Sequence, residues 1–422
     1  MNGTFRSLSI PNYRMWAIGA LSSNVGTWMQ RTAQDWVILT QLAPGNATAV
    51  GISMGLQFGP HILLLPVTGL VADRVDRRKL LISTQVIMGL LSLGLGFLVI
   101  SGHIQLWQLY LFAFITGCVT AFDMPARQTF VGDLVDDAHL SNAVGLNSSS
   151  MNGARMIGPA LSGILIAWIG VGWVFVINAA TFLPVIATLM MLRLDQMRVR
   201  EHAGRVRGGF VAGFRYVWNR PELLTILVML FFVGAFAMNF TIFIVSMAVK
   251  AFHVSSEKFG ILTSIMALGS VMGSLLSARA ERPRMGFLAL SGLALAFTWG
   301  FAALMPDYWM FGLALFLVGG AAQAYNTTGS SAMQLWTEVP MRGRVMAIYL
   351  AVFLGSQPIG APLLGQVIDR FGPRQGLGVA SGAAFIGTAV ALFYLMKHRG
   401  LRLRVKGGLR LHMEPRDHNL PG

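Results

Sequence analysis

Residues 69–79 read Gly-Leu-Val-Ala-Asp-Arg-Val-Asp-Arg-Arg-Lys, and this stretch decides the fold. Six of the eleven residues are ionisable, although apolar runs lie on both sides. The pattern predicts a tight basic loop between two membrane-spanning helices, held on the cytoplasmic side by its terminal cations. In such a loop Gly69 removes a side chain where two helix ends come close, and Asp73 can accept hydrogen bonds from free N–H groups of a neighbouring helix.

The composition is that of a polytopic membrane protein. Of the 422 residues, 55% are hydrophobic and only 12% are charged, and the mean hydropathy is +0.62. Apolar stretches of about 20 residues, enough to cross roughly 30 Å of hydrocarbon, recur about a dozen times. We therefore predict an all-α membrane protein, because helices satisfy their own backbone hydrogen bonds in lipid. The first apolar run is longer than a signal-peptide core and has no Ala-x-Ala cleavage site, so we interpret it as a retained helix.

The distribution of basic residues predicts the topology. A net charge of +15 could indicate a nucleic-acid partner, but the cations lie in short loops and at the chain ends. With both termini in the cytoplasm, the loop cations left outside are Lys250, Lys258, Arg370 and Arg374. This asymmetry follows the positive-inside rule and requires an even number of spans. The expected partner of the chain is therefore the lipid bilayer and not nucleic acid.

The chain divides into two groups of six predicted spans. Residues 1–193 form an N-terminal six-helix bundle and residues 223–396 a C-terminal one. Residues 194–222 form a cytoplasmic linker, in which segment 208–218 predicts an amphipathic surface helix. Residues 397–422 form a cytoplasmic tail. The twelve spans are placed at 14–40, 49–71, 80–100, 106–126, 141–168, 173–193, 223–249, 256–278, 286–304, 308–330, 345–367 and 376–396.

The two groups of spans repeat weakly, as expected for a duplicated transporter fold. An offset of 204 residues places Gly273 under Gly69, but Ser277 stands under Asp73, so the second copy has lost much of the loop chemistry. An offset of 202 residues aligns a second set of glycines: Gly355, Gly360 and Gly365 fall under Gly153, Gly158 and Gly163.

The basic loop resembles the signature loop between helices two and three of the major facilitator superfamily of secondary transporters. The shared pattern is G-x-x-x-D-R-x-x-R-R-K, although Asp76 stands where the superfamily usually has Gly. The resemblance implies two pseudo-symmetric six-helix bundles that rock around a central site. It also implies a gate in the loop, formed by Gly69, Asp73, Arg74, Arg77 and Arg78.

A second motif, at residues 152–163, resembles the Gly-Pro motif on helix five of drug–proton antiporters in this superfamily. It reads Asn-Gly-Ala-Arg-Met-Ile-Gly-Pro-Ala-Leu-Ser-Gly, with Ser162 where Gly is common. Its distinctive residues are Gly153, Arg155, Gly158, Pro159 and Gly163. Small residues four apart also occur on spans 2, 8 and 11, which in the family form the seam with span 5. On spans 2 and 8 these are Gly51, Gly55 and Gly59, and Gly269, Gly273 and Ser277.

Spans 1, 4, 7 and 10 line the cavity in the family, and here they carry polar or aromatic stripes at helical spacing. A polar group facing lipid costs about 1–3 kcal/mol, so such stripes should face the interior. For any single Phe, ordinary helix packing is the alternative. The candidates for substrate contact are Asn24, Trp28, Thr120, Phe236, Asn239, Phe240, Gln323 and Asn326.

Charged residues within the spans are the candidates for proton coupling. Arg31 and Asp35 lie four apart, so they can neutralise each other. If Arg31 moved elsewhere, Asp35 could take up a proton. An interfacial ion pair without a role in transport is the equal alternative.

Spans 4 and 5 also carry charged residues. Asp123 and Arg127 lie at the cytoplasmic end of span 4, where a carboxylate of the family pairs with the basic loop to close the inner gate. The resemblance thus implies a network of Asp73, Arg77 or Arg78, and Asp123, with a fixed structural bridge as the alternative. Asp123 is also a candidate for proton coupling. Arg155 has three alternatives: binding an anionic substrate, pairing with Asp35 or Asp123, or donating to backbone carbonyls.

Three short segments are similar to the bacterial branch of the superfamily that includes the enterobactin exporter: residues 26–30, 123–128 and 342–345. The similarity implies proton-driven efflux of small amphipathic molecules, such as drugs or siderophores, by a monomer in the bacterial cytoplasmic membrane. Proton-coupled uptake, and a lipid flippase or non-transporting membrane protein, are the alternatives. No His-x-x-x-His pair and no phosphate-binding loop occur, so we expect neither an enzyme nor a metal or other cofactor.

Overall fold

The computed structural model describes residues 3–64, 67–68, 71, 75–197, 209–278, 285–338, 341–399, 401–406 and 410–415. Twelve long helices run back and forth through these ranges, in the order and close to the positions that hydropathy predicts. They are α1 (Pro11–Val37), α2 (Ala47–Leu63), α3 (Arg77–Ile100), α4 (Leu106–Leu134), α5 (Asp137–Ile169), α6 (Val171–Met191), α7 (Pro221–Ala251), α8 (Ser256–Ala278), α9 (Met285–Leu304), α10 (Tyr308–Leu335), α11 (Arg342–Phe371) and α12 (Pro373–Arg399).

Shorter elements complete the described chain. A 3₁₀ helix, Gly3–Ser9, precedes α1, and a π-helical turn, Ile38–Leu42, extends it. The linker helix, Gly209–Trp218, matches the predicted amphipathic segment. Helix α7 contains two π-helical turns, Val233–Ala237 and Met247–Ala251, around the segment Phe240–Ser246. A short 3₁₀ turn, Leu194–Gln196, follows α6. After helix α12, the described residues end in an antiparallel pair of strands, β1 (Leu401–Lys406) and β2 (Arg410–Pro415).

Local chemistry sets several helix ends. The Asp76 side chain accepts from the Lys79 N–H at 3.0 Å and so caps α3, which gives a role to the residue that departs from the family pattern. Asp307 caps α10 in the same way. Gly170 and Gly372 end α5 and α11 with φ of 87° and 102°, values that a side chain would disfavour.

Eight of the twelve helices are long and apolar enough, by length and composition, to cross a membrane: α3, α4, α6, α7 and α9–α12. Of the other four, α2 spans only 17 residues, whereas α1 and α5 carry more polar residues and pack against the opposite half of the molecule. Less of the surface of α1 and α5 has to face lipid, so they can carry such residues.

The two halves are built alike, as the internal repeat predicts. Gly158 of α5 lies against the backbone of α1, and Gly360 of α11 lies against the backbone of α7. Gly117 of α4 approaches α2, and Gly319 of α10 approaches α8. Both pairs of glycines are 202 residues apart, so the repeat seen in the sequence is a repeat of helix contacts.

The seam between the halves is formed by α2 with α11 and by α5 with α8. A Cβ on Gly163 of α5 would lie 2.1 Å from the Gly260 Cα of α8, so the two backbones touch. Gly51 of α2 is as close to Ala361 of α11, since a Cβ there would lie 2.3 Å from the Ala361 carbonyl oxygen. Small residues let helices approach in this way.

The prediction for the small residues of α8 is wrong. Gly269 and Gly273 pack against Phe316 and Gly320 of α10, in the same half, and Gly260 meets the other half instead. The side chain of Ser277 lies outside the described residues. Helix α8 has two small faces, and spacing alone does not tell which of them a given neighbour uses.

The halves meet at one end of the molecule and separate toward the other. The end of the molecule at which the odd-numbered helices finish is called the closed end. The opposite end is called the open end. At the closed end Trp36 stacks on Phe259 at 5.0 Å between ring centroids. Toward the open end, Gly153 has no described neighbour within 4 Å of an added Cβ, although Gly355 of α11 still meets Ile62 of α2. The described contacts therefore seal the closed end.

Replacing Gly163 by Ala should push the halves apart at the closed end, because the added methyl group overlaps the Gly260 backbone. Overpacking of this kind costs about 1–3 kcal/mol. Gly153→Ala is the matched control on the same helix, since its methyl group would meet open space.

The measurement is the distance between spin labels at Gln41 and Gln375, which are exposed closed-end positions in opposite halves. Cys118, the one cysteine of the sequence, is first replaced by Ser. We expect longer distances in Gly163→Ala and an unchanged distribution in Gly153→Ala. An unchanged distribution in Gly163→Ala would mean that the glycine contact does not hold the closed end.

Candidate functional site

A cavity lies between the halves, next to the closed end. About 1030 Å³ of space free of protein atoms lies in it, and part of this space is open solvent. Its apolar lining includes Trp28, Met54, Phe58, Pro159, Met238, Phe240, Ile244 and Met266. Its polar lining is Arg31, Asp35, Gln57, Asn152, Arg155, Thr241, Thr263, Ser270, Gln323, Asn326 and Gln357.

Two arginines of the N-terminal half share one aromatic ring in this cavity. The Cζ of Arg31 lies 4.6 Å from the Trp28 ring centroid and 4.9 Å from that of Phe58. The Cζ of Arg155 lies 5.4 Å from the same Trp28 centroid and 5.9 Å from that of Phe240. Cation–π contacts of this kind partly replace the water that a buried guanidinium loses.

The carboxylate of Asp35 forms no hydrogen bond or ion pair with any described residue, although only 6% of the residue's surface is exposed. The predicted ion pair with Arg31 is absent in this conformation, because Arg31 has turned toward the rings of Trp28 and Phe58. Within the described ranges no three His, Cys, Asp or Glu side chains are grouped as metal ligands would be.

Half of the predicted substrate-contact residues line the cavity. Trp28, Phe240, Gln323 and Asn326 do. Residues of α2, α5, α8 and α11 also line it, whereas none of α4 does. Helices α2, α5, α8 and α11 were expected to form the seam alone. Because the halves touch at one end and diverge from there, one helix can seal the closed end and line the cavity further along.

The other four predicted contact residues pack inside their own halves. Asn24 accepts from the Arg127 Nη1 at 3.1 Å, and Thr120 donates to a carbonyl of its own helix. Asn239 is fully buried and donates to the Ala235 carbonyl, one turn back in α7, at 2.6 Å. Phe236 packs against the hydrophobic core.

Gln57 of α2 and Gln357 of α11 are cavity residues that the sequence argument missed. Each is a polar side chain in the middle of an apolar span, and that isolation is the signal that could have found them. Asn152, which opens the helix-five motif, lines the cavity as well.

The helix-five motif contributes to both the seam and the cavity. Gly158 and Gly163 lie at close backbone contacts with α1 and α8, while Gly153 faces open space. Pro159 lines the cavity, and its carbonyl accepts from the Thr263 hydroxyl of α8 at 3.4 Å. Arg155 is the charged member of the motif, and it points into the cavity.

Among the described residues of the predicted gate network, neither Arg77 nor Arg78 contacts Asp123. Gly69, Asp73 and Arg74 lie outside the described residues. Arg77 donates from Nη1 to both carboxylate oxygens of Asp133, at 2.8 and 2.9 Å. Arg78 donates to the carbonyls at the end of α6 at 2.6 and 3.1 Å. Both arginines thus bind their own half at the open end.

Asp123 is the centre of a buried network in the N-terminal half. It accepts from Thr84 at 2.6 Å, from Gln85 at 2.7 Å and from the Arg127 Nε at 2.6 Å. Arg127 also donates to Asn24 of α1 at 3.1 Å. The network therefore connects α1, α3 and α4, and this arrangement matches the alternative of a fixed structural bridge.

Replacing Asp123 by Ala should destabilise the N-terminal half, because it leaves the buried Arg127 without its carboxylate. Breaking one side of a buried ion pair costs about 3–5 kcal/mol. Asp76→Ala, which removes an exposed helix cap worth about 1 kcal/mol, is the comparison.

Thermal unfolding in detergent, followed by circular dichroism, measures both variants. We expect the larger fall in Tm for Asp123→Ala, and a partial recovery when Asp123→Leu is combined with Arg127→Met. Equal falls, together with a changed distance between labels at Gln41 and Gln375, would favour the gate role over the structural one.

One carboxylate joins the halves at the closed end. Asp369 of α11 accepts from the backbone N–H groups of Ala47 and Thr48, at 2.7 and 2.8 Å, and from the Thr48 hydroxyl at 2.6 Å. Lys250 of α7 donates to it at 2.9 Å. Asp369 therefore caps α2 from the opposite half, where the helix dipole favours a negative charge. The predicted span 11 ends at residue 367, so the sequence placed Asp369 in the following loop.

Asp369→Asn should weaken the closed end by about 1 kcal/mol, because the helix terminus and Lys250 both lose a negative partner. The ratio of closed to opened molecules should fall roughly fivefold. Asp307→Asn is the matched control: Asp307 accepts from two N–H groups at the start of α10, inside one half.

The spin-label pair at Gln41 and Gln375 reads out this prediction too. A longer mean distance is expected for Asp369→Asn and not for Asp307→Asn. If both variants keep the parent distribution, the capping carboxylate does not contribute to the seal.

Comparison with known proteins gives a family pattern and curated relatives. The pattern of the family described as transmembrane secretion effector matches residues 2–404. The staphyloferrin A transporter of Staphylococcus aureus is 24% identical over 386 residues, covering 90% of this chain and 95% of the relative. The enterobactin exporter of Shigella boydii is 26% identical over 375 residues, covering 86% and 87%.

Solved structures share the fold. A bacterial homologue of the human lysosomal transporter Spinster, in an inward-facing and occupied conformation, superposes with a TM-score of 0.73. It is 16% identical, and the match covers 91% of this chain and 97% of that chain. A nucleoside transporter superposes with a TM-score of 0.72 at 12% identity, covering 91% and 99%. At these identities the likeness concerns the fold alone.

Proposed function

This chain belongs to the transmembrane secretion effector family of the major facilitator superfamily, and from that premise we propose that it exports small amphipathic organic molecules in exchange for protons. The observation that carries the proposal is a central cavity, sealed at one end by two like halves, in which a carboxylate, Asp35, has no partner among the described residues. The protein is a multi-pass membrane transporter, and its direction and coupling are what we propose.

The distribution of charge supports an open end that faces the cytoplasm. Lys250, Lys258, Arg370 and Arg374 lie near the closed end, and the larger clusters of Arg and Lys lie near the open end. By the positive-inside rule, the open end and both termini are then cytoplasmic. The conformation described here would accept substrate from the cytoplasm of a bacterial cell.

The cavity suits a molecule with both polar and aromatic parts, since rings and amide side chains face each other across it. Two relatives support this substrate class by name, one as an exporter of enterobactin and one as a transporter of staphyloferrin A. Siderophores and amphipathic drugs are therefore the compounds to test first.

The coupling proposal rests on Asp35 and Arg31. A carboxylate in a largely dry cavity without a cation in contact is a group that can take up a proton. When Arg31 returns to Asp35 in another conformation, the proton would be released. If the protein alternates between these two states as it opens to one side of the membrane and then to the other, proton entry is linked to substrate exit.

Inverted membrane vesicles test direction and coupling together. Their lumen corresponds to the cell exterior, so an exporter driven by proton exchange should load substrate into an acidified lumen. The panel contains enterobactin, staphyloferrin A and cationic, neutral and anionic dyes, each measured with and without a protonophore. Loss of loading with the protonophore supports exchange. Faster emptying of preloaded vesicles by an acidic lumen would instead establish proton-coupled uptake.

Asp35→Asn should abolish the acceleration by an acidic lumen while leaving passive exchange of substrate intact, because the amide cannot carry the proton. Asp307→Asn, which alters an exposed carboxylate away from the cavity, is the control and should keep the parent response. Unchanged proton-driven loading in Asp35→Asn would remove this residue from the mechanism.

A further inference from the structure

The charges that face the cavity do not balance. Two arginines, Arg31 and Arg155, line it against one carboxylate, Asp35, and no other lining residue among those described is ionisable. Both guanidinium groups lie beside the Trp28 ring, at 4.6 and 5.4 Å, so their carbons can be no farther apart than these two distances together. Two like charges at such a separation repel each other, and an anion bound between them would relieve that repulsion.

The arginines also have spare hydrogen-bond donors. A guanidinium carries five N–H donors, yet neither Arg31 nor Arg155 donates to any described residue. The Nε of Arg31 is buried without an acceptor. Buried donors of this kind normally have a partner, and a planar anion is the partner that matches an arginine fork. This geometry differs from that of Arg127, whose donors are taken by Asp123 and Asn24.

The opposite wall of the cavity, from the C-terminal half, carries no charged side chain among the described residues. It combines apolar groups, such as Phe240 and Ile244 of α7, with neutral polar groups, such as Gln323 and Asn326 of α10. The ring centroid of Phe353 of α11 lies 5.6 Å from the Arg155 Cζ. An occupant would thus meet cations on one half of the protein and uncharged, partly aromatic side chains on the other.

From these observations we infer that the cavity selects substrates with a carboxylate, sulfonate or phosphate group, held between Arg31 and Arg155, on an aromatic or apolar body that packs against the C-terminal half. The inference rests on the proposed transport function and narrows its substrate class to anions. Trp28 acts as the shared platform that keeps the two cations near each other.

Binding of two matched dyes to the full-length protein in lipid nanodiscs tests the inference. Fluorescein carries a carboxylate and a second negative charge at mildly alkaline pH. The methyl ester of unsubstituted rhodamine, called rhodamine below, has the same ring skeleton but no carboxylate, and its single charge is positive. We expect fluorescein to bind at least roughly tenfold more tightly by fluorescence anisotropy, after subtraction of empty nanodiscs.

Variants of Arg155 separate charge from shape. Arg155→Gln should weaken fluorescein binding roughly 10- to 100-fold and leave rhodamine binding nearly unchanged. Arg155→Lys keeps the charge but loses the planar fork, so an intermediate loss is expected. Lys258→Gln removes an exposed charge near the closed end, outside the cavity, and should bind both dyes like the parent.

Equal binding of the two dyes, tighter binding of rhodamine, or binding of neither would overturn the inference. So would full fluorescein affinity in both Arg155→Gln and Arg31→Gln. If Arg155→Gln does not fold, Arg155→Lys and the dye preference of the parent decide. Dye preference together with no proton-driven loading of vesicles would remove the proposed export and leave the anion site in place, so the two failures are distinguishable.

Discussion

Lipid offers no hydrogen-bond partner to a buried polar group, and this constraint divides the polar side chains of the chain into two kinds. The first kind is satisfied inside one half, as in the network around Asp123 or the 2.5 Å contact of Ser92 with Gln30. Such contacts hold neighbouring helices of one half together as a unit. The second kind is the group of charges in the cavity, which has cation–π contacts but no hydrogen-bonded partner among the described residues. The polar groups that the fold leaves unsatisfied are the ones to which we assign function.

The same constraint explains why central helices have two roles. Helices α1, α2, α5 and α8 are shielded from lipid by the opposite half, so they can carry glycines where backbones touch and polar groups where they diverge. Gly163 and Arg155 illustrate this on one helix: two turns separate a residue that touches the other half from a cation in the cavity. Sealing and binding are therefore successive stretches of the same helix.

Hydropathy predicted the helices well because lipid imposes length and apolarity on each span: α8 occupies 256–278, as expected from the sequence. The partners of individual charges were harder to predict. Arg77 binds Asp133, and Asp123 binds its own helix neighbour Arg127, because several ionisable groups lie within reach at the open end. A sequence orders such groups along the chain but carries no distance between helices. The contribution of Asp369 was missed for the same reason, since its partners at the start of α2 lie more than 300 residues away.

The contact of Gly163 with Gly260 has a kinetic consequence. Two bare backbones meet there, and one turn away the Thr263 hydroxyl of α8 donates to the Pro159 carbonyl of α5. Parting the two glycines themselves requires no change of side-chain rotamer. The crossing can therefore act as a pivot between the two bundles that adds little to the activation barrier for reorientation. That barrier is set by the charged and hydrogen-bonded groups around the crossing.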